Sequence, residues 1–489
     1  MSIERVAVVG AGTMGAGIAQ LACLGGLETW LHDPVPGALA SGRGRVVDGL
    51  AKGAGRGMWS EGEAAAAEDR LHLADGIAEL AGCRLAIEAA PEDLSLKRAL
   101  FTELAERCGP DAILATNTSS LSVTAIAAGV ERPERICGMH FFNPPPLMRL
   151  VEIVAGDDTS SETLEAATEV ALAMRREPIR AADAIGFVAN RCARPFTLEA
   201  LRLLGDRVAP IDQIDRIVRI GGGFRMGPFE LMDLVGVDVN FEVAKSFWEQ
   251  SFHEPRWQPS PIQARTVAAG RYGRKAGRGY YDYGDGPYRP DDPAPPEATE
   301  PSVHADPVRF DGEGFAAVNI ADAVELAAPG PLNTLQFTEE RRPIAPDQLV
   351  FFLALPTLSQ ATLVELARGP ETADTAVSAA GAGFAAMGKN VECVSGYAPG
   401  LVLGRILAQI VNEAHFAVAQ GVATPEDCDT AMRLGFNWPR GPFEWGGAIG
   451  LGRCVAILDA LHRSSGEERY RVSPLLRARA GAEPPAEWS

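Results

Sequence analysis

An apolar run, RVAVVG at residues 5–10, passes directly into GAGTMGAGIAQLACLGG, whose glycines fall at 10, 12 and 15. A strand, a glycine turn and a helix in that order leave a chain few folds. Gly10 permits the tight turn, Gly12 lets a pyrophosphate approach the backbone, and Gly15 allows close packing of helix on strand. The spacing alone is a weak signal, so its context decides. ETWLHDP at 28–34 reads as a second strand ending in Asp33, 18 residues after Gly15. A carboxylate there accepts hydrogen bonds from adenosine ribose hydroxyls and repels a 2′-phosphate. No arginine follows until Arg43, so the cofactor expected is NAD rather than its phosphorylated form. The bland alternative for Asp33 is a turn cap before Pro34.

Further strand-like runs follow at RLAIEAA (84–90), AILATNTSS (112–120), RICGMHFF (135–142) and LVEIVAG (150–156). GALASGRGRVVDGLAKG and DLSLKRALFTELAERC carry helical spacing between the earlier ones, which predicts a parallel, doubly wound Rossmann-type α/β sheet. Ligands of such sheets sit at the carboxyl ends of the strands. Glu92, Asn117, Ser119, His140 and Asn143 all fall on that rim. GMHFFNPPPLMRLVEIV then places Glu152 on the strand beside the one carrying His140. Ionisable groups are rarely buried without a partner, so a histidine and a glutamate in adjacent apolar runs are expected either to pair or to be a core imidazole and an edge-strand carboxylate.

The 489 residues exceed what one core serves, and several domains are expected. A net charge of −19 opposes binding to nucleic acid or anionic membranes, and no apolar run approaches the length of a span, so a small-molecule partner is favoured. Eight cysteines, at 23, 83, 108, 137, 192, 393, 428 and 454, show no metal-ligand spacing and suit a reducing cytoplasm. No bound metal is expected. The opening residues read as a buried strand rather than a targeting peptide.

From residue 183 the sequence reads as helices with glycine and proline punctuation, followed by GRKAGRGYYDY at 273–283 and the proline-rich acidic GPYRPDDPAPPEATEP at 286–301. The helical region recurs at an offset of 214. Gly186, Arg191, Glu199, Asp215 and Gly227-Pro228-Phe229-Glu230 match Gly400, Arg405, Glu413, Asp429 and Gly441-Pro442-Phe443-Glu444. At 213, LVEIVAG matches LVELARG, so the copy includes the end of the sheet. His140 aligns with Leu353 and Asn190 with Gly404, while Glu365 keeps the place of Glu152. The expected layout is a dinucleotide-binding domain at 1–183, a helical domain at 184–285, a linker at 286–302, a degenerate α/β segment at 303–393 and a second, inactive helical domain at 394–489. The copy is expected to cover an apolar face that a single-copy chain would bury in a dimer.

Together GAGTMGAGIAQ, AIEAAPEDLSLK, ATNTSSLS, GMHFFNPPPLMRLVEIV, GFVANR and GRKAGRGYYDY resemble the 3-hydroxyacyl-CoA dehydrogenase family, in its longer form with a duplicated C-terminal domain. The resemblance implies NAD-dependent oxidation of a (3S)-3-hydroxyacyl-CoA, with His140 as base and Glu152 as its partner. It implies Ser119 and Asn190 around the substrate hydroxyl and carbonyl. It also implies an NAD site formed by Gly10, Gly12, Met14, Gly15, Asp33, Glu92, Lys97, Asn117, Ser119 and Asn143. Lys52, Lys275 and the 273–279 loop are candidate CoA contacts, each weighed against a solvated surface charge. AAPED before Glu92 and Ala189 before Asn190 depart from the usual pattern without touching a reacting group. Acyl chains of the 3-hydroxybutyryl and 3-hydroxyadipyl types both fit the longer form, and a distal carboxylate would need a group such as Arg149 or Arg194. Oligomeric state is open. The rival readings are a dehydrogenase of free 3-hydroxy acids and a non-catalytic NAD-binding protein.

Overall fold

A computed structural model of the chain describes residues 3–298, 309–310, 315–319, 349–396 and 398–482. It divides into two compact units, one of residues 1–191 with 421–436 and one of residues 192–420 with 437–489. The expected boundary at 183 thus falls short of the first unit's edge, and that unit also takes in a helix from the second half. The end of the expected linker (299–302), and most of the segment from 303 to 348, lie outside the described residues.

The first unit is built on eight strands: β1 (Arg5–Val9), β2 (Glu28–His32), β3 (Leu71–Ala74), β4 (Leu85–Glu88), β5 (Ile113–Thr116), β6 (Ile136–Phe141), β7 (Leu150–Ala155) and β8 (Glu177–Ala182). Their order is β3-β2-β1-β4-β5-β6-β7-β8. The first six follow the dinucleotide-binding order, all parallel. Helices α1 (Thr13–Leu24), α2 (Ala38–Gly55), α3 (Glu61–Asp69), α4 (Leu94–Arg107), α5 (Val123–Ala127) and α6 (Ser161–Ala173) accompany them. Strands β4 and β6 are buried along their whole length, as strands sandwiched between helix layers must be.

The sheet is not wholly parallel. β7 runs antiparallel to β6, because the eight residues Phe142–Arg149 are too few for a crossover helix. The consequence is register: His140 stands directly opposite Glu152, and paired residues share a face.

In the second unit, α7 (Ala189–Gly205), which begins in the first unit, leads into α8 (Ile211–Gly222), α9 (Pro228–Val235), α10 (Val237–Gln250) and α11 (Pro261–Ala268). Five strands, β9 (Arg309–Phe310), β10 (Phe315–Asn319), β11 (Leu349–Ala354), β12 (Leu363–Arg368) and β13 (Asn390–Val394), form a second sheet in the order β13-β12-β11-β10-β9, with α12 (Asp374–Ala386) between β12 and β13. Pairing from β10 to β13 is parallel, antiparallel, parallel, the same senses as from β5 to β8. Helices α13 (Leu403–Ala419), α14 (Pro425–Gly435), α15 (Pro442–Ile449), α16 (Leu451–Ser465) and α17 (Pro474–Ala482) complete the chain.

Two helices related by the repeat pack on the opposite copy's strands. Within the first unit α14 lies on β7 and β8; within the second, α8 lies on β12 and β13. A glycine makes the first approach close: a Cβ on Gly435 would stand 2.8 Å from Leu150 Cδ2.

Candidate active site

The glycine fingerprint has the shape its spacing predicts. Gly10 has φ +104, and a Cβ there would meet the Ala89 carbonyl at 2.6 Å; a Cβ on Gly15 would collide with the Gly10 carbonyl. A Cβ on Gly12 would meet nothing within 4 Å, which leaves the backbone open to a ligand at the start of α1. No acidic residue occupies the first turn of α1. A pyrophosphate therefore finds exposed donors and the positive end of a helix. Asp33 accepts from Ala11 N (2.7 Å) and Val35 N (2.9 Å), tying its carboxylate to the glycine turn. Arg45, unremarked in the sequence, secures the same turn through the Ala11 carbonyl at 3.0 Å. Met14 is half-buried against the first unit's core. These residues fit NAD.

At the other end of the rim, His140 is 6% exposed and Glu152 fully buried. His140 Nδ1 lies 2.6 Å from Glu152 Oε2. The other carboxylate oxygen accepts the Val188 and Ala189 N–H groups at 3.0 and 2.9 Å, where α7 begins. Glu152 thus joins an imidazole to a helix N-terminus, whose partial positive charge favours a carboxylate. Such a partner holds the proton on Nδ1 and leaves a lone pair on Nε2, for which no partner exists among the described residues. Phe142 and Phe187 flank the ring at centroid distances of 4.6 and 5.9 Å. Asn190 follows Ala189 and is half-buried, so the helix that caps Glu152 also fixes Asn190.

The other rim residues separate into exposed and structural groups. Ser119 and Asn143 are exposed. Asn117 Oδ1 accepts from Phe141 N at 2.8 Å, bracing the end of β6 beside His140. Glu92 is turned onto the serine loop, where Oε1 accepts from Thr118 Oγ1, Ser119 N, Ser120 N and Ser120 Oγ. Burial raises its pKa, but the Thr118 hydroxyl, Lys97 and Ser120 more than offset this and hold it below the ordinary value. Lys97 is not at the open rim. It is fully buried, 2.6 Å from Glu88 Oε1, with Glu92 Oε2 at 3.4 Å. Thr116 Oγ1 completes Glu88 at 2.7 Å. The lysine shares the core face of α4 with Phe101 and Leu104, a spacing of four and three that the sequence displayed. It supports Glu92 from beneath.

Lys52 is exposed in the last turn of α2. Lys275 is already paired, with Asp238 at 2.7 Å. The glycine-rich loop around Lys275 is organised by a buried carboxylate. It wraps Asp233: a Cβ on Gly273 or Gly279 would stand 2.3 or 2.0 Å from Asp233 atoms, Tyr280 N and Tyr281 N each donate to its carboxylate at 2.9 Å, and the Tyr283 hydroxyl donates at 3.0 Å. Asp215 caps α9 through Phe229 N and Glu230 N and also accepts from Tyr281; burial pushes its pKa up to about 7. Neither carboxylate could be placed from sequence, because their partners lie up to 66 residues away. Among the described residues no cluster of His, Cys, Asp and Glu could hold a metal ion, and no helix is long and apolar enough to cross a membrane.

The family profile "3-hydroxyacyl-CoA dehydrogenase, NAD binding domain" matches residues 5–184, and "3-hydroxyacyl-CoA dehydrogenase, C-terminal domain" matches twice, at 186–283 and 400–484. This chain belongs to the 3-hydroxyacyl-CoA dehydrogenase family. It is an NAD-dependent oxidoreductase of the long form, with the C-terminal domain duplicated. The 3-hydroxyadipyl-CoA dehydrogenase of Escherichia coli K12 is 39% identical over 98% of both chains. A crystal structure of 3-hydroxybutyryl-CoA dehydrogenase from E. coli K12 superposes with a TM-score of 0.86 at 37% identity over 99% of both. The (S)-3-hydroxybutyryl-CoA dehydrogenase of Ralstonia eutropha is 36% identical with a TM-score of 0.56. It is matched over all of its own length but only 58% of this one. Single-copy relatives of this dehydrogenase therefore correspond to part of the chain only.

Proposed function

We propose that this enzyme reversibly oxidises the (3S)-hydroxyl of a 3-hydroxyacyl-CoA to the 3-oxo group at the first-half site, with His140 as general base. The observation that carries this is the 2.6 Å contact of His140 Nδ1 with a buried carboxylate that is itself held by two backbone N–H groups. A base for a hydroxyl needs an accepting atom free and a pKa near neutrality, and imidazole supplies both. The hydroxyl proton passes to Nε2, and the C3 hydrogen leaves with its electron pair. NAD, when bound, supplies the hydride acceptor. Glu152 keeps the proton on Nδ1 and stabilises the imidazolium formed, as the aspartate does in a serine protease triad. General base catalysis of this kind contributes about 10² to 10⁴ in rate. Ser119 and Asn190 orient the hydroxyl and carbonyl, and Lys52 and Lys275 are the candidate CoA contacts in this reading. Glycine-turn residues Gly10, Gly12 and Gly15 with Asp33 hold the cofactor, and Met14 and Asn143 border it.

In the same reading the five-stranded sheet and the helices after it are a degenerate, catalytically silent copy, and the exchange of α8 and α14 covers each copy's strands within one chain. The enzyme works in the cytoplasm, a reading that its scattered cysteines, without metal-ligand spacing, suit. Relatives named for butyryl and adipyl substrates leave both as candidates. The test is NADH formation from 3-hydroxyacyl-CoA thioesters against the corresponding free acids. The thioesters should be strongly preferred; equal turnover of the free acids would overturn the CoA reading, and NADH binding without turnover of any ester would make the protein a non-catalytic binder.

A further inference from the structure

The motif AIEAAPEDLSLK holds an ionisable residue to which neither the rim nor the resemblance assigns a role: Glu88, the last residue of β4. It is fully buried, in register with Val9 on one side and Thr116 on the other, where the strand order turns from β1 to β4. The residue after it, Ala89, abuts the glycine turn with its carbonyl. The Glu88 carboxylate is fully engaged: Oε1 accepts from Lys97 Nζ and Ala90 N, each at 2.6 Å, and Oε2 from Thr116 Oγ1 at 2.7 Å.

Lys97 also lies 3.4 Å from Glu92 Oε2, so two carboxylates share one ammonium and the trio carries an excess negative charge. Stability does not call for such a group, since apolar residues of similar volume often replace a buried ion pair without loss. Two members are wholly buried, where salt screens little, and the third, Glu92, has a side chain 36% exposed at the rim. Asp93, its exposed neighbour, caps α4 through Leu96 N. A dinucleotide crosses a sheet of this order at the switch point, with one mononucleotide over each half. Asp33, after β2, marks the adenosine half. The nicotinamide half then lies over β4, β5 and β6, the strands that carry Glu88, Thr116 and His140. That ring is a cation in the oxidised cofactor and neutral in the reduced one, so a fixed negative charge beneath it distinguishes the two.

We propose that Glu88, without touching the cofactor, biases the site toward the oxidised form, NAD+, over NADH, through the excess negative charge it gives the group it forms with Lys97 and Glu92. The inference rests on the dehydrogenase reading above for the place of the nicotinamide. A bias of this sign eases release of the reduced cofactor after each oxidation.

The test measures the dissociation constants of NAD+ and NADH by calorimetry, without substrate, and takes their ratio. Glu88→Gln, nearly the same shape, should weaken NAD+ relative to NADH by about threefold to tenfold, the size of one partly screened charge interaction. Glu106→Gln, which removes a charge from the exposed face of the same helix, should leave the ratio within about twofold. Glu88→Gln combined with Lys97→Met removes the buried pair together and keeps the net charge of the group. It should return the ratio to within about twofold of wild type, and it tests the proposal even if the single variant does not fold. An unchanged ratio in Glu88→Gln, equal weakening of both forms, or a double variant shifted as far as the single one would overturn the proposal, the last two by pointing to structure instead of charge. The expected shift in a protein that oxidises no hydroxyacyl ester would uphold it and overturn the dehydrogenase reading instead.

Discussion

The same carboxylate stands in both halves of the molecule with different company. On β7, Glu152 faces His140 and accepts two backbone N–H groups where α7 begins. On β12, Glu365 faces Leu353 and accepts Val402 N and Leu403 N at 2.8 and 3.0 Å where α13 begins. What has been lost is the imidazole and the room for a substrate group. A Cβ on Gly404, in the place of Asn190, would stand 3.0 Å from Leu353 Cδ2, so the leucine has closed the space. With no cation or imidazole beside it, burial pushes the Glu365 carboxyl up to about 8 against its two backbone donors, with Glu392 raising it further. Holding a helix is thus a structural task that a carboxylate performs alone. In the mechanism proposed above, one imidazole on the facing strand turns the same cap into a proton acceptor.

Four substitutions test the difference between the two halves. Glu152→Gln should lower kcat by about 10² to 10⁴, since the amide no longer fixes the tautomer or balances the imidazolium. Glu365→Gln should leave steady-state kcat within about twofold; a large fall with the protein folded would show that the second half takes part in the chemistry. Next in size, Asn190→Gly should reduce kcat/KM by about tenfold to a hundredfold, the loss of one oriented hydrogen bond. Gly404→Asn should instead spare activity and destabilise the fold by about 1–3 kcal/mol through overpacking on Leu353, as read by denaturant melts. The smallest effect concerns pH. A carboxyl raised in the folded state contributes stability below its ordinary value of 4.5 and loses it as pH rises toward about 8. The apparent melting temperature of wild type should therefore fall relative to Glu365→Gln across that window, by about 1–2 °C at pH 9 for each kcal/mol of burial penalty. A constant difference would mean that Glu365 does not titrate there.

The apolar runs and the glycine spacing made most of the first sheet legible, because strands covered on both faces leave a continuous apolar signature. β3 and β8 escaped notice, since LHLA is short and EPIRAA carries a proline and an arginine. The pairing of His140 with Glu152 was legible as proximity. Its geometry came from an antiparallel turn forced by a short, proline-rich connection. Lys97 entered only through the family resemblance, and its spacing with Phe101 and Leu104 is what turns it into the core beneath Glu92. The loop around Lys275 holds what sequence conceals: Asp233, a carboxylate 40 residues earlier in the chain, stands at its centre. Contacts of that range leave no local trace in sequence.

The central claim is that the imidazole distinguishes the two caps, and its most direct test gives the first site the composition of the second. His140→Leu should be assayed by single-turnover hydride transfer to NAD from saturating 3-hydroxyacyl-CoA, alongside NAD affinity and melting temperature. The account predicts a rate at least about 10² to 10⁴ lower with binding and folding retained. Hydride transfer at nearly the wild-type rate would contradict it.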